Sequence, residues 1–87
     1  MFGIAYVSLK GISPVETDAQ DIAKDVVDTM NFAVVNGLTV TIKDLTECGA
    51  VIVENLHAVS GAIAGYIPAL DKTIAIEAGK ITFATPV

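Results

Sequence analysis

Few residues in this chain carry reactive chemistry. There is one histidine, His57, one cysteine, Cys48, and no arginine. His57 closes a Glu54-Asn55-Leu56-His57 segment, and on a helix this E-x-x-H spacing would set two metal ligands on one face. The flanking residues read instead as a strand over Ala50–Leu56, with Val51 and Val53 on one side and Ile52, Glu54 and Leu56 on the other. Residues three apart on a regular strand point to opposite faces. Asp44, Glu47 and Cys48 are the nearby groups that would have to complete a cage, too few for a metal centre. Ser60 follows His57 by three residues, but Ala58 stands where a nucleophile elbow needs glycine, and no acid is placed to orient the histidine. Cys48 lies in an acidic loop, where carboxylates oppose formation of a thiolate nucleophile, and a single cysteine forms no intramolecular disulfide. No phosphate loop, dinucleotide fingerprint or zinc spacing is present. The chain is therefore expected to be no enzyme, with no catalytic, cofactor or metal residues.

The elements around these residues are predominantly strands. Phe2–Lys10 alternates Phe2, Ile4 and Tyr6 with Gly3, Ala5, Val7 and Leu9, and both faces are apolar enough to predict a strand covered on both sides. Gly11 and Ser13-Pro14 end it. A helix is predicted over Thr17–Met30, opened by a capping box of Thr17 and Gln20. Ala19, Ile22, Ala23, Val26, Val27 and Met30 form its apolar stripe. Asp18, Asp21, Asp25 and Asp28 lie on its acidic face, with Lys24 able to pair with Asp28.

Asn36-Gly37 matches a two-residue hairpin turn joining strands Phe32–Val35 and Leu38–Lys43. Asp44–Gly49 reads as a polar loop. Ala58–Leu70 suits either a strand ending at Pro68 or a short helix, with strand favoured. A terminal hairpin is expected around Ala78-Gly79-Lys80, with Ile74, Ile76, Ile81 and Phe83 facing inward. The sum is one domain over residues 1–87. It is α+β and β-rich, a small antiparallel sandwich or barrel of about six strands with one amphipathic helix.

Composition narrows the partners. Of 87 residues, 53% are hydrophobic, and the mean hydropathy is +0.65. A chain this short hides only about 60–65% of its unfolded surface, so part of that apolar material is expected in a subunit interface. Phe2, Tyr66, Ile67, Pro68 and Leu70 are the expected contact positions, Tyr66 for its large face and polar tip. Ten acidic residues against five lysines give a net charge of −5. That balance opposes binding to nucleic acid or to anionic membranes. The uncharged stretch Asn55–Leu70 is shorter than the ~20 residues a bilayer span needs. Gly61-Ala62-Ile63-Ala64-Gly65 matches G-x-x-x-G, and Gly61–Ile67 resembles part of an influenza-type fusion peptide. Its internal position and length favour a closely packed strand or turn. The N-terminus lacks a basic leader pattern, so synthesis in the cytoplasm is expected.

From Gly37 through Gly79-Lys80-Ile81-Thr82-Phe83-Ala84 the chain is a series of Thr/Val/Ala strands ending in a G-x-I-T-F hairpin. In this it resembles the decoration or cement proteins, small accessory proteins of tailed-phage heads. The resemblance implies a non-catalytic, oligomeric subunit that stabilises a capsid, located in the virion, and carries over no functional residue. The competing expectation is a small acidic regulatory module that docks the Thr17–Met30 helix on a basic partner.

Overall fold

Buried and exposed residues alternate along the long strands, and that alternation builds the fold. The computed structural model describes residues 3–15 and 18–86. The elements are β1 (Ile4–Ser8), β2 (Gln20–Asp21), α1 (Lys24–Asn36), β3 (Thr39–Leu45), β4 (Gly49–Val59), β5 (Ala62–Ile67), β6 (Lys72–Glu77) and β7 (Lys80–Ala84). The seven strands form one mixed sheet in the order β1-β3-β4-β5-β6-β7-β2, curled into a half-barrel. The β-rich α+β class expected from the sequence is thus the observed one.

The inner face carries aligned rows of apolar residues. Val7, Ile42 and Val51 are in register across β1, β3 and β4; Ile63, Ile76 and Ile81 across β5, β6 and β7; and Gly65, Ile74 and Phe83 beside them. Val26, Met30 and Ala33 of α1 join the same core, their i, i+4, i+7 spacing presenting one helical stripe to the sheet. No polar or charged side chain is buried among the described residues.

The terminal hairpin is as expected, with Glu77 opposite Lys80 and all four inward residues buried. The strand reading of the ambiguous segment holds for β5, which ends just before Pro68.

Several expectations are corrected. The helix starts at Lys24 and not at Thr17, which lies outside the described residues. Gln20 is unavailable for a capping box: its Nε2 donates to the Ser13 carbonyl at 2.7 Å, and its Oε1 accepts from the Ser13 amide at 3.2 Å. Gln20 and Asp21 pair with Ile81 and Lys80, and the Ile22 amide continues the ladder to the Gly79 carbonyl. At the other end the helix runs on through Phe32–Val35, which had read as strand. Gly37 is its left-handed C-cap at φ 65°, with the Gly37 and Leu38 amides returning to the Val34 and Ala33 carbonyls. A helix C-cap and a two-residue hairpin turn both ask a left-handed glycine, and they differ at the asparagine, which is helical here, so the Asn-Gly dipeptide alone does not separate them.

The two-residue hairpin turns are at Ser60-Gly61 and Ala78-Gly79, all four residues at positive φ. Leu45, assigned to a polar loop, is buried and ends β3. The sheet is also not purely antiparallel. β1 runs parallel to β3, because the chain crosses through β2 and α1 before returning beside β1.

Candidate functional site

Among the described residues, the side chains with reactive chemistry are His57, Cys48 and the carboxylates, and the geometry of β4 decides which of them meet. Glu54 pairs across from Tyr66 and His57 from Ala64, so three residues of β4 span two of β5. The extra residue is a bulge, with Asn55 at φ 55°. The bulge sets Glu54 and His57 on the same outer face, which overturns the strand-period argument that placed them on opposite sides. They remain a pair without a third ligand. Among the described residues no three His, Cys, Asp or Glu side chains are placed to hold a metal ion. The His57 imidazole is exposed, with Nδ1 2.6 Å from the Asn55 carbonyl oxygen. Ser60 occupies the tip of the β4–β5 turn. Cys48 is half-buried against the core edge and is a free thiol.

The feature that stands out is apolar surface. On the outer face, Tyr6, Thr41 and Ile52 are in register across β1, β3 and β4. Tyr6 is 61% exposed and Ile52 53%. Ile4 stands beside Tyr6 on the same face of β1 and is equally uncovered. Both faces of β1 had been expected to be covered; the outer one is open because no element of the described chain lies over it. Lys43 sits with its Nζ 5.8 Å from the Tyr6 ring centroid, an exposed cation–π contact worth about 0.5–1 kcal/mol. Beyond Ile52 an open groove of about 300 Å³ is lined by Ala50, Ile52, Glu54, Pro68 and Ala69.

The expected contact residues divide. Pro68 lines this groove and is exposed. Tyr66 is half-buried on the same outer face, one residue across from Glu54. Leu70 packs partly against the core. Ile67 is fully enclosed in the core and offers nothing to a partner, because its position on β5 points inward. Phe2 lies outside the described residues. Ile4, Tyr6 and Ile52 were not singled out from sequence. The signal was present in the alternation of β1, but the register of β1 against β3 that aligns the three is not readable from a linear pattern.

The four aspartates do not form one helical face. Asp18 precedes β2 and Asp21 lies in it, its Oδ1 accepting from Lys80 Nζ at 2.8 Å. Only Asp25 and Asp28 are on α1, and Lys24 Nζ donates to Asp28 Oδ2 at 2.7 Å. That contact raises the Lys24 pKa above its ordinary value, chiefly through the hydrogen bond and then through the Asp28 charge.

Tyr66 donates its hydroxyl proton to Asp71 Oδ1 at 2.7 Å, tying β5 to the turn that follows it. The hydrogen bond, then desolvation and the charges of Asp71 and Glu54, hold the phenol above the usual tyrosine range. A group raised on folding stabilises the fold below its unfolded pKa, here about 10, and loses that contribution as pH rises through the folded value. In a Tyr6→Phe background the tyrosinate absorbance should therefore titrate above the ordinary midpoint. Asp71→Asn should move it back down, and an unmoved midpoint would mean the contact is not made in solution.

No helix among the described residues is long and apolar enough to cross a membrane. Comparison with known family models, curated proteins and solved structures returned no match to this chain.

Proposed function

We propose that this protein is a non-catalytic assembly subunit, one that packs through the outer face of its sheet against copies of itself or other structural chains. The observation that carries this reading is the open apolar row of Tyr6, Thr41 and Ile52, continued by Ile4 at one end and the Pro68 groove at the other. Contiguous apolar surface of this kind marks interaction sites more often than it occurs without a role. The β-rich architecture is compatible with a capsid-stabilising component of a virion, the role the decoration-protein resemblance implies. The acidic-module reading loses support from the separation of Asp18 and Asp21 from the helix and from the lysine partners of Asp21 and Asp28.

Ile52→Lys tests the proposal, because it places a charge in the middle of the row at an exposed position that the fold does not need. Sedimentation equilibrium should show a discrete oligomer for the natural chain and a tenfold or greater weakening for the variant, since burying an unpaired charge costs several kcal/mol. Equal association of the two proteins would remove the outer face from the interface.

A further inference from the structure

The two edges of the half-barrel differ in kind. At the β2 edge the strand is two residues long, and an Asp21–Lys80 ion pair sits on it. Short, charged edges are how sheets avoid pairing with other chains. At the β1 edge, Ile4–Ser8 carries neither charge nor proline. The Thr39 amide donates to the Gly3 carbonyl and the Leu9 amide to the Lys43 carbonyl. In a parallel ladder this assigns the odd residues of β1 to β3 and turns the N–H and C=O groups of Ile4, Tyr6 and Ser8 outward. No described strand other than β3 pairs with β1.

The helix adds to this edge. Asp25, Val26 and Thr29 line a groove with Tyr6, Val7 and Ser8, so this flank of α1 overlooks β1. Phe32, three residues past Thr29, continues the same flank and is 60% exposed.

We infer that β1 is the joint of a two-fold homodimer, in which the β1 strands of two copies pair antiparallel about Tyr6. This rests on the assembly reading above and adds to its outer face a second contact, the sheet edge, whose partner is a second copy of this chain. The register is self-complementary. Tyr6 faces Tyr6 of the other copy and Ile4 faces Ser8, and each such pair exchanges two N–H···O bonds. A two-fold interface needs one patch to complement itself, and an uncharged strand does so without like-charge repulsion between its facing residues, Asp25 and Asp44 being the acids at its margins. The outer row becomes continuous across the axis, from Ile52 through Tyr6 of one copy to Tyr6 and Ile52 of the other. The two helices meet along the flank that carries Phe32. A five-residue strand edge with one helix flank is a small joint beside the ~800 Å² per partner of a standard stable interface, which corresponds to reversible association. Because both copies carry −5, raising salt should tighten the dimer.

The test uses cysteine pairs in a Cys48→Ala background. Tyr6→Cys should cross-link to itself under mild oxidation, since opposed Cα atoms about 5.5 Å apart fall in the disulfide range. Ile4→Cys alone should not, its symmetry mate lying about 13 Å away along the strand. Mixed with Ser8→Cys it should form the heterodisulfide. Ser8→Pro removes an outward amide together with the exposed hydrogen bond from Ser8 Oγ to Asp44 Oδ2, and it should weaken the dimer tenfold or more; Ser8→Ala, which loses only the hydroxyl, should not, with circular dichroism confirming the fold of both. An oligomer that gives none of these cross-links and ignores Ser8→Pro but dissociates with Ile52→Lys overturns the β1 joint and leaves the assembly reading standing. A chain that stays monomeric at every concentration and salt overturns both.

Discussion

Phe83→Ala should cost about 3–5 kcal/mol, the range for truncating a fully buried aromatic side chain. Phe83 is among the largest enclosed side chains of the protein at 1% exposure. It stands opposite Ile74 on the inner face, in the row that ends at Gly65. A strand cannot collapse into the gap without breaking its ladder, so most of the volume would remain as cavity. A chain of 87 residues has roughly 4–13 kcal/mol of total stability, so at the lower end of that range the variant would be largely unfolded. Urea denaturation followed by circular dichroism measures the difference. A loss below about 1 kcal/mol would contradict the placement of β7 in the core.

Gly65→Ala should cost about 1–3 kcal/mol for the opposite reason, overpacking. A Cβ built at Gly65 lies 2.7 Å from Val53 Cγ1 and 3.1 Å from Leu56 Cδ1. The β4 bulge folds both side chains over this position. Val53 is buried and β-branched, which restricts the rotamers it can retreat into. Alanine ordinarily gains about 0.4–1 kcal/mol over glycine by restricting the unfolded chain, which offsets part of the clash. Equal or higher stability of the variant, by the same denaturation measurement, would mean that β4 and β5 do not approach this closely.

The two substitutions also show where sequence reading worked. Ile74, Ile76, Ile81 and Phe83 alternate cleanly around a turn signal, and the period of two assigns them inward without knowledge of the rest of the fold. The stretch from Gly61 was read as a closely packed strand or turn, and Gly65 lies in β5 with the Val53 and Leu56 side chains against the space a Cβ would take.

The failures have a common cause in tertiary context. Val34, Val35 and Phe32 favour strands by local propensity, but Val26, Met30 and Ala33 bury a helical stripe, and that burial outweighs a few tenths of a kcal/mol per residue. Gln20 had the right spacing for a cap, yet its amide is used to hold the Ser13 loop. The bulge after Glu54 reverses the facing of His57, and nothing in Glu54-Asn55-Leu56-His57 announces it. The apolar row has the same character: Tyr6, Thr41 and Ile52 come from three strands, and their alignment exists only once the parallel β1–β3 pair has formed.

The excess of apolar residues over what a small core can hold is the link between composition, exposed surface and assembly. The most direct measurement is the solution mass of the natural chain by light scattering over a range of concentration and salt. Apolar association should give a discrete oligomer that persists or tightens at high salt, because screening relieves repulsion between acidic copies. A monomer at all concentrations would contradict self-assembly through the outer face, and an oligomer that dissociates as salt rises would show that charge pairing holds it together.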